Sequence, residues 1–332
     1  MNEFKISMPA RYIINSILLA AFIVAGLLIT QSGLLGRAQN ANIISVGIFI
    51  ILAVSLNLPT GYLGQLPLGH AGFMAIGAYA GAIFWRADLL PQNASIVAGL
   101  LVAGLAAAFV GVLIGIPALR LKGDYLAIIT LGFGEIIRVI INNFDSITGG
   151  ARGLHGIPRY SSFVIVYLCV IICCVAIHML MKSRHGRAIL SIRENEIAAE
   201  SCGINTTYYK VMAFAFSAFF AGVAGALFAG NIGILVPGEF DFMTSINILM
   251  IVVLGGMGSM AGAVFAASIL TSLPLFMVAL NEYRMIIYAL MLIIVMLFKP
   301  SGLLGTYDFS LSRLLEKLIR RLAGKKGGAD NA

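Results

Sequence analysis

Charge is scarce in this sequence. Lys, Arg, Asp and Glu make up 11% of its 332 residues, against 60% hydrophobic. A soluble domain carries about 25% charged residues, so the composition excludes a water-soluble globular protein and places the chain in lipid. At about 20 residues per span the length holds roughly ten spans and leaves no room for a soluble domain.

Recognisable reaction chemistry is missing too. No G-x-x-x-x-G-K-[ST] loop occurs, so no nucleotide is bound through a P-loop. Gly256-Met-Gly258-Ser-Met-Ala261 formally matches a dinucleotide fingerprint, but the βαβ context and the following acid are absent. The four histidines (His70, His155, His178, His185) show neither a Ser/His/Asp pairing nor metal-ligand spacing. Cys169, Cys173, Cys174 and Cys202 have no such spacing either, and three of them lie in one apolar run, where Cys packs as a small hydrophobe. Nothing here supports an enzyme, a bound cofactor or a metal. The net charge of +8 does not indicate nucleic-acid binding, because the basic residues border the apolar runs.

What is present is a succession of apolar runs: Ile13–Thr30, Asn42–Leu58, Leu66–Trp85, Ala94–Ala118, Tyr125–Ile141, Phe163–Met181, Val211–Ile234, Met243–Leu254, Ala261–Leu280 and Met285–Phe298. The first is longer than a signal-peptide core of about 7–15 residues and reads as a retained span. The expected fold is all-α, a polytopic integral membrane protein of about ten transmembrane helices. A single membrane domain occupies residues 1–306, with an amphipathic and then disordered tail at 307–332.

Lys182–Asn205, KSRHGRAILSIRENEIAAESCGIN, interrupts this pattern with four basic and three acidic residues on one or two short amphipathic helices. A basic loop between spans belongs on the cytoplasmic side, lying on lipid or docking onto a partner. That placement puts sixteen of the 22 Lys and Arg inside, five outside (Arg37, Arg86, Arg152, Arg159, Arg284) and Arg138 within a span, with both termini cytoplasmic.

Two glycine-rich breaks, Pro59–Gly72 (PTGYLGQLPLGHAG) and Gly255–Gly262 (GGMGSMAG), each precede a run of small residues, a weak internal repeat of the kind that sets broken helices around a transport path. Small-xxx-small spacing at Gly77/Gly81, Gly111/Gly115, Ala218/Gly222/Ala226 and Gly258/Gly262 suits close helix packing in lipid. Gln65 and His70 fall in the first break, where unwound backbone lines water or is buried in protein. Glu135 and Arg138 share a helix face and read as a structural ion pair or a polar wall of a path. The glycine-rich outer loop Asn142–Tyr160, with Asp145 and Arg152, joins Arg86, Glu239 and Asp241 in a mixed-sign outer face, either solvated or a docking surface.

Several segments together resemble the LivM-type permeases of bacterial high-affinity branched-chain amino-acid ABC importers. They are SLNLPTGYLGQLPLGHAGFMAIGAYAGA (55–82), PALRLKGDYLAIITLGFGEIIRVIINN (117–143), TGGARGLHGIP (148–158), HGRAILSIRENEIAAESCGIN (185–205), VVLGGMGSMAGAVFAA (252–267) and MLFKPSGLLG (296–305). The resemblance implies translocation of leucine, isoleucine or valine across the inner membrane. It implies as partners a second, LivH-type permease, two cytoplasmic ABC ATPase subunits that hold ATP and Mg, and a periplasmic amino-acid-binding protein. Related permeases carry urea, amides or other amino acids, which leaves those substrates as alternatives; a proton-coupled secondary transporter relying on Glu135 is the alternative of another class.

The resemblance further implies that the cytoplasmic loop, 182–209, is an ATPase-coupling loop with Arg193, Glu194, Glu196, Ile197, Ala198, Ala199, Glu200 and Gly203 as its contact residues. Ala198-Ala199-x-x-x-Gly203 follows the general importer loop, while Ile197 stands where that loop has its acid and Glu196 precedes it. Gln65, His70, Glu135, Arg138, Asn142, Gly255, Gly256 and Gly258 are the expected path residues. Arg86, Asp145, Arg152, Glu239 and Asp241 are the expected docking residues for the binding protein.

Overall fold

The structure is a computed structural model that describes residues 36–88, 90–121 and 123–276, with residues 290, 293, 297, 298 and 302. The first apolar run, nearly all of the last, and the basic tail lie outside the described residues. From Arg37 onward the described residues belong to one compact unit.

Helix α1 (Arg37–Asn57) runs straight into a π-helical turn, Leu58–Tyr62, after which the chain is non-helical until α2 (His70–Arg86). Next come α3 (Gln92–Ala118), α4 (Asp124–Asn143), the short α5 (Asp145–Thr148) and a 3-10 turn, Gly150–Arg152. Helix α6 (Phe163–Lys182) leads into the paired short helices α7 (Arg184–Glu194) and α8 (Glu196–Ser201), and α9 (Thr206–Ile232) returns across the bundle. A 3-10 turn at Pro237–Phe240 precedes α10 (Phe242–Gly255), and α11 (Met260–Phe276) follows. Among the described residues the only extended pairing is one antiparallel bridge, Leu154 with Leu235.

Eight of the apolar runs thus appear as helices, with the span expected at Leu66 beginning instead at His70 because Leu66–Gly69 is unwound. Four helical segments are long and apolar enough to cross a membrane: Gln39–Tyr62, Gln92–Ala118, Phe163–Lys182 and Thr206–Ile232. Helices α10 and α11 are apolar but shorter.

The core forms where small residues let backbones meet. Helix α9 packs most extensively on α3 and α2. A methyl group on Gly77 would collide with the Gly222 backbone, one on Gly81 would stand 2.7 Å from the Ala226 Cβ, and one on Gly111 would stand 2.7 Å from the Ala218 Cβ. The small-xxx-small positions are therefore the helix-crossing points, as close packing in lipid requires. Outside this core, α3 presents Val97, Leu101, Leu105, Phe109 and Leu113, and α6 presents Leu168, Ile172, Val175 and Met179. These uncharged stripes at helical spacing are suited to lipid tails.

Candidate functional site

The loop between α6 and α9 is built by its capping residues. The Ser183 Oγ accepts from the His185 and Gly186 amides at 3.1 and 3.4 Å and starts α7. Asn195, in extended conformation, breaks the chain between α7 and α8, and its Oδ1 accepts from Ile197 and Ala198 at 3.0 and 3.1 Å. These side chains supply partners that the first-turn amides of each helix lack. Gly203, with φ +81°, closes α8 in the left-handed conformation, and the Ile204 amide bonds back to Ala199 at 3.1 Å.

A small separate core seats this hairpin on the bundle. Ile189 and Ile192 of α7 and Ala199 of α8 pack with Leu58 and Leu63 of the π-helical segment and Ala213 of α9. The predicted coupling residues accordingly divide into two groups. Glu194, Ile197, Ala198, Glu200 and Gly203 are exposed, Ile197 at 72%. Ala199 is buried, Glu196 pairs with Lys210 at 2.6 Å, and Arg193 sends Nη1 to the Gly61 carbonyl at 2.6 Å in a partly buried bond.

That last contact leads to the glycine breaks, which meet. A Cβ on Gly61 would collide with the Gly258 amide, and the Gly258 N–H donates to Asn57 Oδ1 at 2.8 Å. Gly255 lies directly against Gly262, and Gly302 against Gly256. Gln65 is half-buried nearby in sequence. His70 is buried within the bundle, its Nε2 3.0 Å from Ser55 Oγ; Ser217 donates to the Ser55 carbonyl at 2.7 Å. Ser245 accepts from the Ala71 amide at 3.1 Å, and Thr130 from the Leu68 amide at 2.9 Å. The unwound entry to α2 is thus satisfied by side chains from α4 and α10, which is what buried irregular backbone requires.

Glu135 and Arg138 form an ion pair at 2.7 Å on α4, with side chains 32% and 36% exposed. They have no part in the His70 contacts and stand among exposed apolar residues, Ile136, Val139 and Ile140. Asn142 is exposed at the end of the same helix.

At the opposite end of the bundle, two loops are stitched together. Leu154 and Leu235 exchange backbone hydrogen bonds of 2.8 and 3.0 Å, and Tyr79 donates to the Leu235 carbonyl at 3.3 Å. Asp241 caps α10 by accepting from the Thr244 amide at 2.8 Å, and Thr244 Oγ1 donates to the Glu239 carbonyl at 2.9 Å. Arg86, Asp145, Arg152 and Glu239 are exposed. Among the described residues, no group of three or more His, Cys, Asp or Glu could hold a metal ion.

Sequence reasoning passed over Asn57, Lys210 and the seryl and threonyl partners of the first break. A polar Asn at the end of an apolar run was the available signal for Asn57. Lys210 was visible only as one more basic residue at a span boundary.

Residues 40–296 match the family described as branched-chain amino acid transport system, permease component. The chain belongs to this family. It is 38% identical over 299 residues to the high-affinity branched-chain amino acid transport system permease protein LivM of Escherichia coli K12, covering 77% of this chain and 68% of that protein. The Salmonella typhimurium LivM is equally similar, at 38% over the same shares of both chains. The LivH permease protein of Salmonella typhimurium is 24% identical over 282 residues, covering 77% of this chain and 91% of that protein. No solved structure matches the chain.

Proposed function

We propose that this chain is the membrane permease subunit of an ABC importer for branched-chain amino acids, with no catalysis of its own. The observation that carries the reading is the family match across residues 40–296, joined by 38% identity to LivM. The likeness to both LivM and LivH supports a second, LivH-type permease as its companion. ATP is hydrolysed on two cytoplasmic ATPase subunits, and a periplasmic binding protein delivers leucine, isoleucine or valine.

In this reading the chain is a multi-pass inner-membrane protein of about ten spans with both termini cytoplasmic. The α7–α8 hairpin faces the cytoplasm. Its exposed Ile197, flanked by Glu194 and Glu200, fills a groove of the ATPase, an apolar anchor with charges at its rim. Arg86, Asp145, Arg152 and Glu239 meet the binding protein, while Asp241 serves by shaping the loop that presents Glu239.

The path runs along the side of α4 that carries Glu135 and Arg138. Charged side chains in spans face a bundle interior or water rather than lipid, and this pair is open in the single chain. The second permease therefore closes over it. The broken-helix segments, with Gln65, His70, Gly255, Gly256 and Gly258, act as the movable walls. No contact of Glu135 favours a proton relay, since Arg138 engages its carboxylate.

The test is reconstitution of this chain with its companion permease, ATPases and binding protein in proteoliposomes. ATP-dependent accumulation of labelled leucine, competed by isoleucine and valine but not by urea or amides, is the expected result. Uptake by the chain alone under a proton gradient without ATP would overturn the reading.

A further inference from the structure

Arg193 lies in the last turn of α7, two residues before the Asn195 break that leads into α8. Its side chain turns away from the exposed face of the hairpin. The aliphatic stem lies against Gly64, with its Cγ 3.2 Å from where a Gly64 Cβ would be, and Nη1 reaches the Gly61 carbonyl at 2.6 Å. Gly61 belongs to the π-helical turn that ends α1, where the chain leaves the helix and terminal carbonyls go without intrahelical donors. The guanidinium supplies that donor as a short charge-assisted bond.

The same Nη1 lies 3.3 Å from where a Cβ on Gly258 would stand. Gly258 in turn contacts Gly61 backbone to backbone and is held by Asn57, while Gly302 lies against Gly256 beside it. One side chain of the cytoplasmic hairpin therefore touches the first glycine break and borders the second. The contact between the breaks is made by backbone atoms and one buried side chain, Asn57, so a displacement of one break is passed on rather than absorbed.

We infer that Arg193 is the transmission residue of the permease: a positioning side chain that passes movement of the α7–α8 hairpin to both glycine breaks at once, rather than an ATPase contact. This rests on the importer reading above. It separates two roles within one loop, docking by the exposed Ile197 side and transmission by Arg193.

The experiment uses the whole reconstituted complex carrying Arg193→Met, which keeps the stem against Gly64 and removes the donors. The expected variant assembles with both ATPases and hydrolyses ATP, while leucine moved per ATP falls about tenfold or more, within the range of coupling between sites. Arg193→Lys, which retains a donor, recovers part of that ratio. A double-mutant cycle with Asn57→Ala is expected to be strongly non-additive, because both changes loosen one junction. Wild-type transport per ATP in R193M overturns the inference, and so does loss of ATPase binding by an otherwise folded R193M permease. If R193M does not accumulate, Arg193→Gln, whose shorter side chain cannot span to the Gly61 carbonyl, decides: a wild-type ratio overturns the inference and a lowered ratio with normal assembly supports it. Failure of the importer reading itself is distinguishable, since the unmutated complex would then show no ATP-driven uptake.

Discussion

Lys210 of α9 is only 3% exposed, and its ammonium sits 2.6 Å from the Glu196 carboxylate at the start of α8. The bond ties the hairpin to a long central helix by a charge that has little access to water. Removing Glu196 leaves that ammonium buried and unpaired. Such losses reach about 3–5 kcal/mol for fully buried pairs, and about 2 is expected here because the carboxylate side is partly solvated. Glu196→Ala should lower the melting temperature of the detergent-purified permease, whereas Glu200→Ala, on the exposed side, should leave it nearly unchanged. Paired thermal melts check this.

Glycines in this fold differ sharply in what they tolerate. Gly77→Ala places a methyl group into the Gly222 backbone, so α2 and α9 must separate. We expect a loss of about 1–3 kcal/mol, the usual cost of overpacking, and poor recovery from the membrane. At Gly132, on α4, an added Cβ meets nothing within 4 Å. There the alanine should be neutral or stabilise by up to about 1 kcal/mol through helix propensity. Equal behaviour of the two variants in expression and melting would contradict the packing described.

Ala199→Pro tests the hairpin as a rigid body. The Ala199 amide donates to the Asn195 carbonyl at 3.0 Å, and proline removes that bond and unseats a buried side chain. The expected cost is about 3 kcal/mol or more, concentrated in α8. Co-purification of the ATPases should be lost while the permease stays in the membrane. Ile197→Asp should also weaken ATPase recovery, but without lowering the permease melting temperature, since Ile197 touches solvent.

Glu135→Gln separates path from relay. The importer reading puts this pair in the path wall beneath the companion permease, so losing the charge lowers ATP-driven leucine uptake, by about tenfold for a loss of roughly 1.4 kcal/mol, without abolishing it. A proton-coupled carrier would lose nearly all uptake. Initial rates with and without a proton gradient decide between them.

Much of this was legible in the linear chain. Phe163–Lys182 and Gln92–Ala118 emerge at almost the bounds their apolar runs suggested, because lipid solvation and internal hydrogen bonding act on each segment independently. The central loop was recognisable by its charge and as one or two short helices, while the caps Ser183 and Asn195 that divide it emerged only from the structure. The division of labour inside it was not legible: Arg193, Glu194 and Glu196 are close neighbours of similar polarity, yet one reaches Gly61, one faces solvent and one pairs with Lys210. Helical phase and the position of α9 decide which is which, and neither is encoded locally.

The sequence by itself determined that the chain is apolar and helical, where its charged central loop lies, and which family it joins. These follow from composition, apolar run length and motif order. Tertiary structure alone decided that the two glycine breaks, far apart in the sequence, touch at Gly61 and Gly258 with Asn57 and Arg193 around them. The physical reason is distance along the chain: a glycine marks a place where something can come close, but only the folded bundle determines what does.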